Sequence, residues 1–298
     1  MLDLERLRAL QAVSVHGSVR AAAEALHVTT SAVSQQLAKL ERETGQQLLE
    51  RKGRGVRLTD AAELLVGHAD RILSLVEEAR ADLEAHRGAV VGEVWVAAFP
   101  TAVRGLVPGA LARLRDAHPQ LRVRVREEDP AQSIPLVLRG DIDLAVIQEW
   151  DNDPVGLPEG LARGRVCEDP ADVALHAGHP LAGRESLALK ELADDGWICS
   201  TPKTICYEWL CYTLRAEGFE PRIEHMATEL SSELALVDAG LGAAILPRLG
   251  RCDVPPNVRL VPLDPPLVRR LSVVWRIEAA RRPAIRAVSA ALRAAAGA

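Results

Sequence analysis

The polar side chains between residues 30 and 39 have the types and the spacing that base recognition requires. Ser31, Ser34, Gln35 and Lys39 lie on one side of a helical repeat, together with the small Ala38. A glutamine amide can form two hydrogen bonds with the edge of an adenine in the major groove of DNA, and serine hydroxyls can donate or accept there. A lysine beside them can neutralise a phosphate. These residues therefore predict a helix that enters a DNA groove.

Two short helices must hold these side chains in place. Val33, Leu37 and Leu40 follow one another at i, i+4 and i+7, which predicts a helix over about 30–44 whose apolar face is opposite the polar one. A shorter helix comes before it and begins at Ser18, a residue type that caps helices. A helix at the N-terminus precedes both. The pattern is that of a helix-turn-helix.

Basic residues alternate with two glycines directly after these helices. Arg51, Arg54 and Arg57 are the arginines of this segment. They predict a short hairpin, or wing, whose arginines contact phosphates or the minor groove beside the recognition helix. The alternative is a solvated turn whose charges are incidental.

A long helix is expected after the hairpin, with Thr59 as its cap and its end near residue 86. Apolar residues recur along it at alternating spacings of four and three, which is a heptad repeat. They are Leu58, Ala62, Leu65, Ala69, Ile72, Val76, Ala79 and Leu83. Because an exposed seam of this length is unfavourable in water, the repeat predicts dimerisation through this helix. Packing of a single helix on the chain's own C-terminal domain is the alternative.

From Glu93 onward, strand patterns alternate with helix patterns. The first lobe is predicted to contain strands at 94–98, 121–126 and 144–147, with helices over about 106–117 and 132–139. The acidic run over 149–164 predicts a crossing into a second lobe.

The second lobe repeats the alternation. Its predicted elements are a strand at 172–176, a helix at 187–193, a strand at 197–199, a helix at 205–217, a strand at 222–226, a helix at 231–239 and a strand at 243–246. Pro-rich loops around Pro255 and Pro265 precede a strand at 271–275 and a helix at 283–295, which we expect to return to the first lobe. Two α/β lobes joined by two crossings leave a cleft between them.

Charge is distributed unevenly along the 298 residues. Residues 1–58 contain nine Lys and Arg against six Asp and Glu, whereas the remaining residues contain 27 against 35. A basic head on an acidic body fits a DNA-binding module joined to a separate domain.

Several function classes are disfavoured by what the sequence lacks. Charges in the first six residues interrupt any signal peptide, and no window approaches 18 apolar residues, so we expect a soluble cytoplasmic protein. That expectation, with the recognition helix, argues against a secreted solute-binding protein.

Five irregularly spaced cysteines predict neither disulfides nor a metal site, and we expect no cofactor. His176, His179 and His225 occur without a hydrolase, zincin or P-loop motif, so we expect no enzyme.

The chain resembles the LysR-type transcriptional regulators from end to end. Residues that match the winged helix-turn-helix of that family are Ala21-Ala22, Leu26-His27-Val28, Ala32-Val33-Ser34, Leu40-Glu41, Gly45, Leu48, Glu50-Arg51, Arg54-Gly55 and Leu58-Thr59. Further matches are Leu106-Val107-Pro108, the run Gly140-Asp141-Ile142-Asp143-Leu144-Ala145 and the run from Gly240 to Pro247.

This resemblance implies a fold of class α/β with an all-α N-terminal head. The winged helix-turn-helix would occupy residues 1–58 and the linker helix residues 59–87. Two α/β lobes similar to a type 2 periplasmic-binding-protein fold would follow, lobe 1 at 92–163 and 269–298 and lobe 2 at 164–268. The resemblance also implies a homodimer or dimer of dimers that binds double-stranded promoter DNA. A small-molecule effector, a small organic acid or other metabolite, would bind in the cleft.

Candidate DNA contacts are carried over from the resemblance by position. Base contacts are expected from Thr30, Ser31, Ser34 and Gln35, with the wing contact from Arg54. Phosphate contacts are expected from Ser18, Thr29, Lys39 and Arg51. Ser18 and Thr29 have the alternative of serving only as helix caps.

Candidate effector contacts follow the carboxyl ends of predicted strands. They are Pro100, Thr101, Gln148, Thr201, Lys203 and Thr204. The Thr101 hydroxyl and neighbouring backbone N–H groups could hold a carboxylate. The alternative is that all six are ordinary turn and capping residues.

A thiol-based redox sensor is the alternative function. Cys206 lies close in sequence to Cys199 and Cys211, and peroxide-sensing members of the family carry a reactive thiol in a comparable stretch. A thiol early in a helix and near Lys203 could have a lowered pKa. Buried structural cysteines are the competing interpretation.

Overall fold

The computed structural model describes residues 2–26, 28–52 and 55–297. The chain divides into two compact units, Met1–Gly88 and Ala89–Ala298.

The first unit is a helical head with a small hairpin. Its elements are α1 (Leu4–His16), α2 (Val19–Ala25), α3 (Thr30–Thr44), β1 (Leu49–Lys52), β2 (Gly55–Leu58) and α4 (Asp60–Arg87). Gly17, at φ 69°, ends α1 in the left-handed conformation that glycine adopts without strain. Val33, Leu37 and Leu40 of α3 are buried against α1 and α2, as their spacing predicts.

The hairpin is fixed to α3 by one carboxylate. β1 and β2 pair antiparallel, from Leu49 opposite Leu58 to Lys52 opposite Gly55. Glu41 of α3 accepts hydrogen bonds from the backbone N–H groups of Leu48 (2.8 Å) and Leu49 (3.2 Å). The strand therefore starts at a set distance from the recognition helix.

The heptad seam on α4 is divided between two environments. Ala62 and Ala69 are fully buried in the core of the head, and Leu65 and Ile72 pack against that core. The prediction of a dimer seam is therefore wrong for this half, because the head itself covers it. The other half is open: Val76 and Leu83 of the seam are exposed, and so are Leu64 and Leu75, which lie on α4 outside the seam.

The second unit is built on a mixed six-stranded sheet. The strands of the whole unit, including two outside this sheet, are β3 (Gly92–Ala98), β4 (Leu121–Glu127), β5 (Leu144–Trp150), β6 (Leu161–His176), β7 (Gly196–Cys199), β8 (Arg222–Met226), β9 (Ala244–Pro247) and β10 (Val258–Arg276). Its helices are α5 (Pro100–Gly105), α6 (Val107–Ala117), α7 (Pro130–Arg139), α8 (Ile205–Ala216), α9 (Leu230–Asp238) and α10 (Pro283–Ala296). The main sheet has the order β4-β3-β5-β10-β6-β9, and β7 pairs with β8 in a separate sheet.

Two long antiparallel strands extend into the predicted crossings. β6 and β10 pair from Leu161 opposite Arg276 to His176 opposite Val258. Residues 161–164 and the Pro265 segment are therefore strand rather than loop. A register shift between Pro262 and Leu267 accommodates the prolines, which cannot donate to the ladder.

Two shorter predictions also need correction. The helix expected over 106–117 is preceded by an additional one, α5, which starts at Pro100. The helix expected over 187–193 is only a 3₁₀ turn, Leu189–Leu192.

Two large apolar clusters of the second unit mark the regions that we call lobe 1 and lobe 2. Lobe 1 lies between β3, β4, β5, α6 and α10, and it includes Leu271 and Val273 from the C-terminal half of β10. Lobe 2 contains β7 and α8 and includes Val261 and Leu263 from the N-terminal half of β10.

No helix in the described part of the chain is long and apolar enough to cross a membrane.

Candidate DNA-binding surface and effector cavity

The exposed face of α3 presents the polar residues that the sequence singles out. Thr30, Ser31, Ser34, Gln35 and Lys39 are all exposed, on the side of α3 opposite its buried face. The structure therefore leaves their side chains available to a groove.

Ser18 and Thr29 act as caps. The Ser18 hydroxyl accepts a hydrogen bond from the backbone N–H of Ala21 (3.1 Å), and the Thr29 hydroxyl accepts one from Ala32 (3.1 Å). Each therefore satisfies a donor at the start of its helix, which is the capping alternative.

The hairpin carries the basic residues of the predicted wing. Arg57 of β2 forms an ion pair with Glu50 of β1 at 2.9 Å, across the hairpin. The backbone of Arg51 lies in β1 opposite Val56. The predicted wing contact Arg54 lies outside the described residues.

A cavity of about 560 Å³ opens in the second unit. Four of the six predicted effector residues line it, namely Pro100, Thr101, Gln148 and Thr204. Its walls come from both lobes, because Phe99 follows β3 and Gln148 lies in β5 of lobe 1, whereas Ile198 and Trp209 belong to lobe 2. The volume suits a small metabolite.

A buried arginine joins the elements around this cavity. Arg269 of β10 lies directly opposite Asp169 of β6, and its Nε donates to the Asp169 carboxylate at 2.7 Å. Its Nη1 donates to Oε1 of Gln148 in β5, and its Nη2 donates to the Thr101 hydroxyl in α5 at 2.7 Å. The guanidinium also lies 5.2 Å from the centre of the Phe99 ring. Arg269 and Asp169 are both almost completely buried. Because they form an ion pair, each neutralises the charge of the other.

A close backbone approach holds Thr101 at this point. Gly250, in the loop after β9, has φ 64°, and a Cβ there would collide with the carbonyl oxygen of Thr101. Arg104, one turn further along α5, donates from Nε to the carbonyl of Gly250 at 3.0 Å. The loop and α5 are therefore in direct contact beside the cavity.

The remaining predicted residues form the turn before α8. The Thr204 hydroxyl donates to the carbonyl of Thr201 (2.7 Å) and accepts from the backbone N–H of Tyr207 (3.3 Å). Lys203 is exposed with φ 72°, and its backbone N–H donates to Glu208 at 3.3 Å. Thr201 and Lys203 do not line the cavity.

One wall of the cavity carries an acid without a partner. Glu233, in the first turn of α9, is 9% exposed, and no hydrogen bond or ion pair of its carboxyl is found among the described residues. Burial raises its pKa to about 8. Asp129 lines the same cavity, and burial together with the neighbouring Glu128 raises its pKa.

Two stacked indoles form an apolar wall. The rings of Trp150 and Trp209 lie 3.6 Å apart at an angle of 11°. The indole N–H of Trp209 donates to Asn152 at 2.8 Å, and Asn152 donates in turn to the Thr213 hydroxyl at 2.9 Å. The stack joins the end of β5 to α8.

The thiols near the cavity have the properties of structural cysteines. Burial raises the pKa of Cys206 to about 11 and the pKa of Cys199 to about 12. Cys206 accepts a hydrogen bond from the Gln148 amide at 3.7 Å. Because the nucleophile in redox sensing is the thiolate, these shifts disfavour that role at neutral pH.

The main residues that the sequence reasoning missed are Arg269, Asp169 and Glu233. A signal existed for Glu233, which shares a helix face with Leu230 and Val237 at spacings of three and four. None existed for Arg269, because Arg270 follows it and either could point inward.

Two protein-family models match the chain. One is described as a bacterial regulatory helix-turn-helix protein of the lysR family and matches residues 4–63, and the other, the LysR substrate binding domain, matches residues 87–297. The chain belongs to the LysR family. It is a LysR-type transcriptional regulator with a DNA-binding domain and an effector-binding domain, as the resemblance implies.

Relatives and a solved structure agree with this assignment over most of the chain. The HTH-type transcriptional regulator BudR of Raoultella terrigena is 29% identical over 283 residues, which are 92% of this chain and 95% of BudR. A probable RuBisCO transcriptional regulator of Cyanophora paradoxa is 30% identical over 247 residues, 82% of this chain and 76% of that protein. A full-length OxyR variant from Pseudomonas aeruginosa, 22% identical, shares the fold with a TM-score of 0.68 over 98% of both chains.

The family assignment also gives the partners. LysR-type regulators bind promoter DNA and small-molecule effectors and act as oligomers.

Proposed function

We propose that this regulator binds its effector in the cavity around Arg269 and reads its operator with the exposed face of α3. The single observation that carries the proposal is the buried cluster of Arg269, Asp169, Gln148 and Thr101. It joins β10, β6, β5 and α5 at the cavity wall, so a ligand that contacts any member acts on all four elements. The function is regulation of transcription without a catalytic step.

A cavity-filling variant tests the proposal. Ser200 lines the cavity directly after β7, so Ser200→Trp would occupy part of its volume. Ser232 is exposed on α9 and does not line the cavity, which makes Ser232→Trp the matched control. The screen would measure the thermal stability of the full chain with a panel of organic acids, amines and sugars.

A ligand that raises the melting temperature of the wild type and of Ser232→Trp, but not of Ser200→Trp, would bind in the cavity. The same ligand is expected to change the footprint of the wild type on the DNA upstream of its own gene. A ligand that acts equally on Ser200→Trp, or that fills the cavity without changing the footprint, would contradict the proposal.

A further inference from the structure

The charges around the cavity are predominantly acidic. Six charged residues line it, four of them acids: Arg104, Glu127, Asp129, Glu229, Glu233 and Arg269. Arg269 is paired with Asp169 and all three of its nitrogens are engaged. Arg104 is exposed at the edge and donates to the carbonyl of Gly250. No buried cation on the described cavity wall is therefore free to receive a carboxylate.

Some polar groups near this wall are also engaged. Near the start of α8, the N–H of Tyr207 donates to the Thr204 hydroxyl and the N–H of Lys203 donates to Glu208. The Thr101 hydroxyl accepts from Arg269. These groups are therefore already hydrogen-bonded within the protein.

Glu233 is the complementary feature. An unpaired carboxyl that is nine-tenths buried is unfavourable in the empty protein, and a cation that enters the cavity would relieve it. Other titratable groups that line the cavity with it are Glu229, which precedes α9, Cys199 and Cys206 from the β7–α8 side, and Asp129 and Arg269. Trp150 and Trp209 supply aromatic surface in the same cavity, and aromatic faces attract cations.

We infer that the effector of this regulator is a cationic amine with an apolar body, whose ammonium group pairs with Glu233. This inference rests on the proposed function for the location of the site and goes beyond it in naming the ligand class. It replaces the expectation of a small organic acid.

Three probes of one shape test the ligand class on the full-length protein. Phenethylamine, phenethyl alcohol and 3-phenylpropionate share a phenyl ring on a two-carbon chain and differ in carrying a positive, no or a negative charge. Binding can be followed by tryptophan fluorescence, because both stacked indoles line the cavity. We expect the amine to bind at least about tenfold more tightly than the carboxylate, with the alcohol between them.

The variant Glu233→Gln keeps the shape of the side chain and removes its charge. We expect it to reduce the preference for the amine over the alcohol to less than about threefold. With the wild type, the affinity for the amine should rise roughly tenfold from pH 6 to pH 7, because Glu233 must lose its proton to pair. The variant should show no such rise, and Ser200→Trp should not bind the amine.

Equal binding of the three probes, tighter binding of the carboxylate, or a preference for the amine that persists in Glu233→Gln would overturn the inference. Absence of saturable amine binding would do the same. The proposed function fails separately: an amine that binds through Glu233 without altering the footprint on DNA refutes only the regulatory role of the cavity. A carboxylate that alters the footprint through the cavity refutes only the ligand class.

Discussion

At the scale of single residues, the effector domain depends on charges that the sequence places inside it. Arg269 and Asp169 are both nearly inaccessible and directly opposed on neighbouring strands. Removing one partner of such a pair leaves the other buried and uncompensated, which costs several kcal/mol. Thr101 and Gln148 could be predicted from their positions after strands, but their common partner could not. The register of β10 decides whether Arg269 or Arg270 points inward, and this register could not be predicted from the sequence.

Glu233→Gln is expected to stabilise the ligand-free protein, and increasingly so as the pH rises. Burial raises the pKa of Glu233 from 4.5 to about 8, so the folded protein retains a proton that the unfolded chain releases between these values. The wild type therefore loses stability relative to the variant over this range, by about 3 kcal/mol at pH 7. Urea unfolding at pH 5 and pH 7 measures the difference. The exposed Glu229→Gln is the control, and a gain independent of pH would contradict the prediction.

At the scale of elements, the helices of the head were the most predictable part of the molecule. Their apolar residues have a clear 3.6-residue period, and local caps at Ser18, Thr29 and Thr59 mark where each begins. The two long strands were the least predictable. β6 alternates mainly between half-buried and exposed residues in its first half and is largely buried in its second, so only the second half has an apolar run. β6 forms one continuous strand because it pairs with β10, which is distant from it in sequence.

The exposed apolar residues in the second half of α4 give a prediction at this scale. Leu75 and Leu83 are 65% and 70% exposed in the single chain, and burying two leucines in each copy favours association by several kcal/mol. The double variant Leu75→Glu, Leu83→Glu is therefore expected to weaken dimerisation by at least about 100-fold, measured by analytical ultracentrifugation. Val254→Glu, which charges an exposed apolar residue outside α4, should leave the dimer intact. An unchanged sedimentation profile for the double variant would place the interface elsewhere.

At the scale of the whole molecule, charge is unevenly distributed, because residues 1–58 are net basic whereas the rest of the chain is net acidic. The excess of basic residues in 1–58 attracts phosphates, whereas the acidic excess in the rest of the chain opposes non-specific adhesion of the body to DNA. Affinity must then come from a small number of contacts made by the head. Because LysR-type regulators act as oligomers, each contact is repeated at a second half-site. A substitution therefore removes the same DNA contact from both half-sites.

Gln35→Ala and Lys39→Ala separate base recognition from phosphate binding on this repeated surface. Both side chains are exposed on α3, so neither change is expected to affect folding. Loss of the Gln35 amide should remove roughly 1–3 kcal/mol of discrimination at one base pair in each half-site while other positions keep their ranking. Loss of Lys39 should weaken binding to all sequences alike and reduce the slope of log affinity against log salt by about 0.9 for each copy bound. Fluorescence anisotropy on a set of operator variants between 50 and 200 mM salt measures both effects. If Gln35→Ala lowered affinity uniformly and left the ranking of operators unchanged, Gln35 would be a phosphate contact and base recognition would lie with the serines of α3.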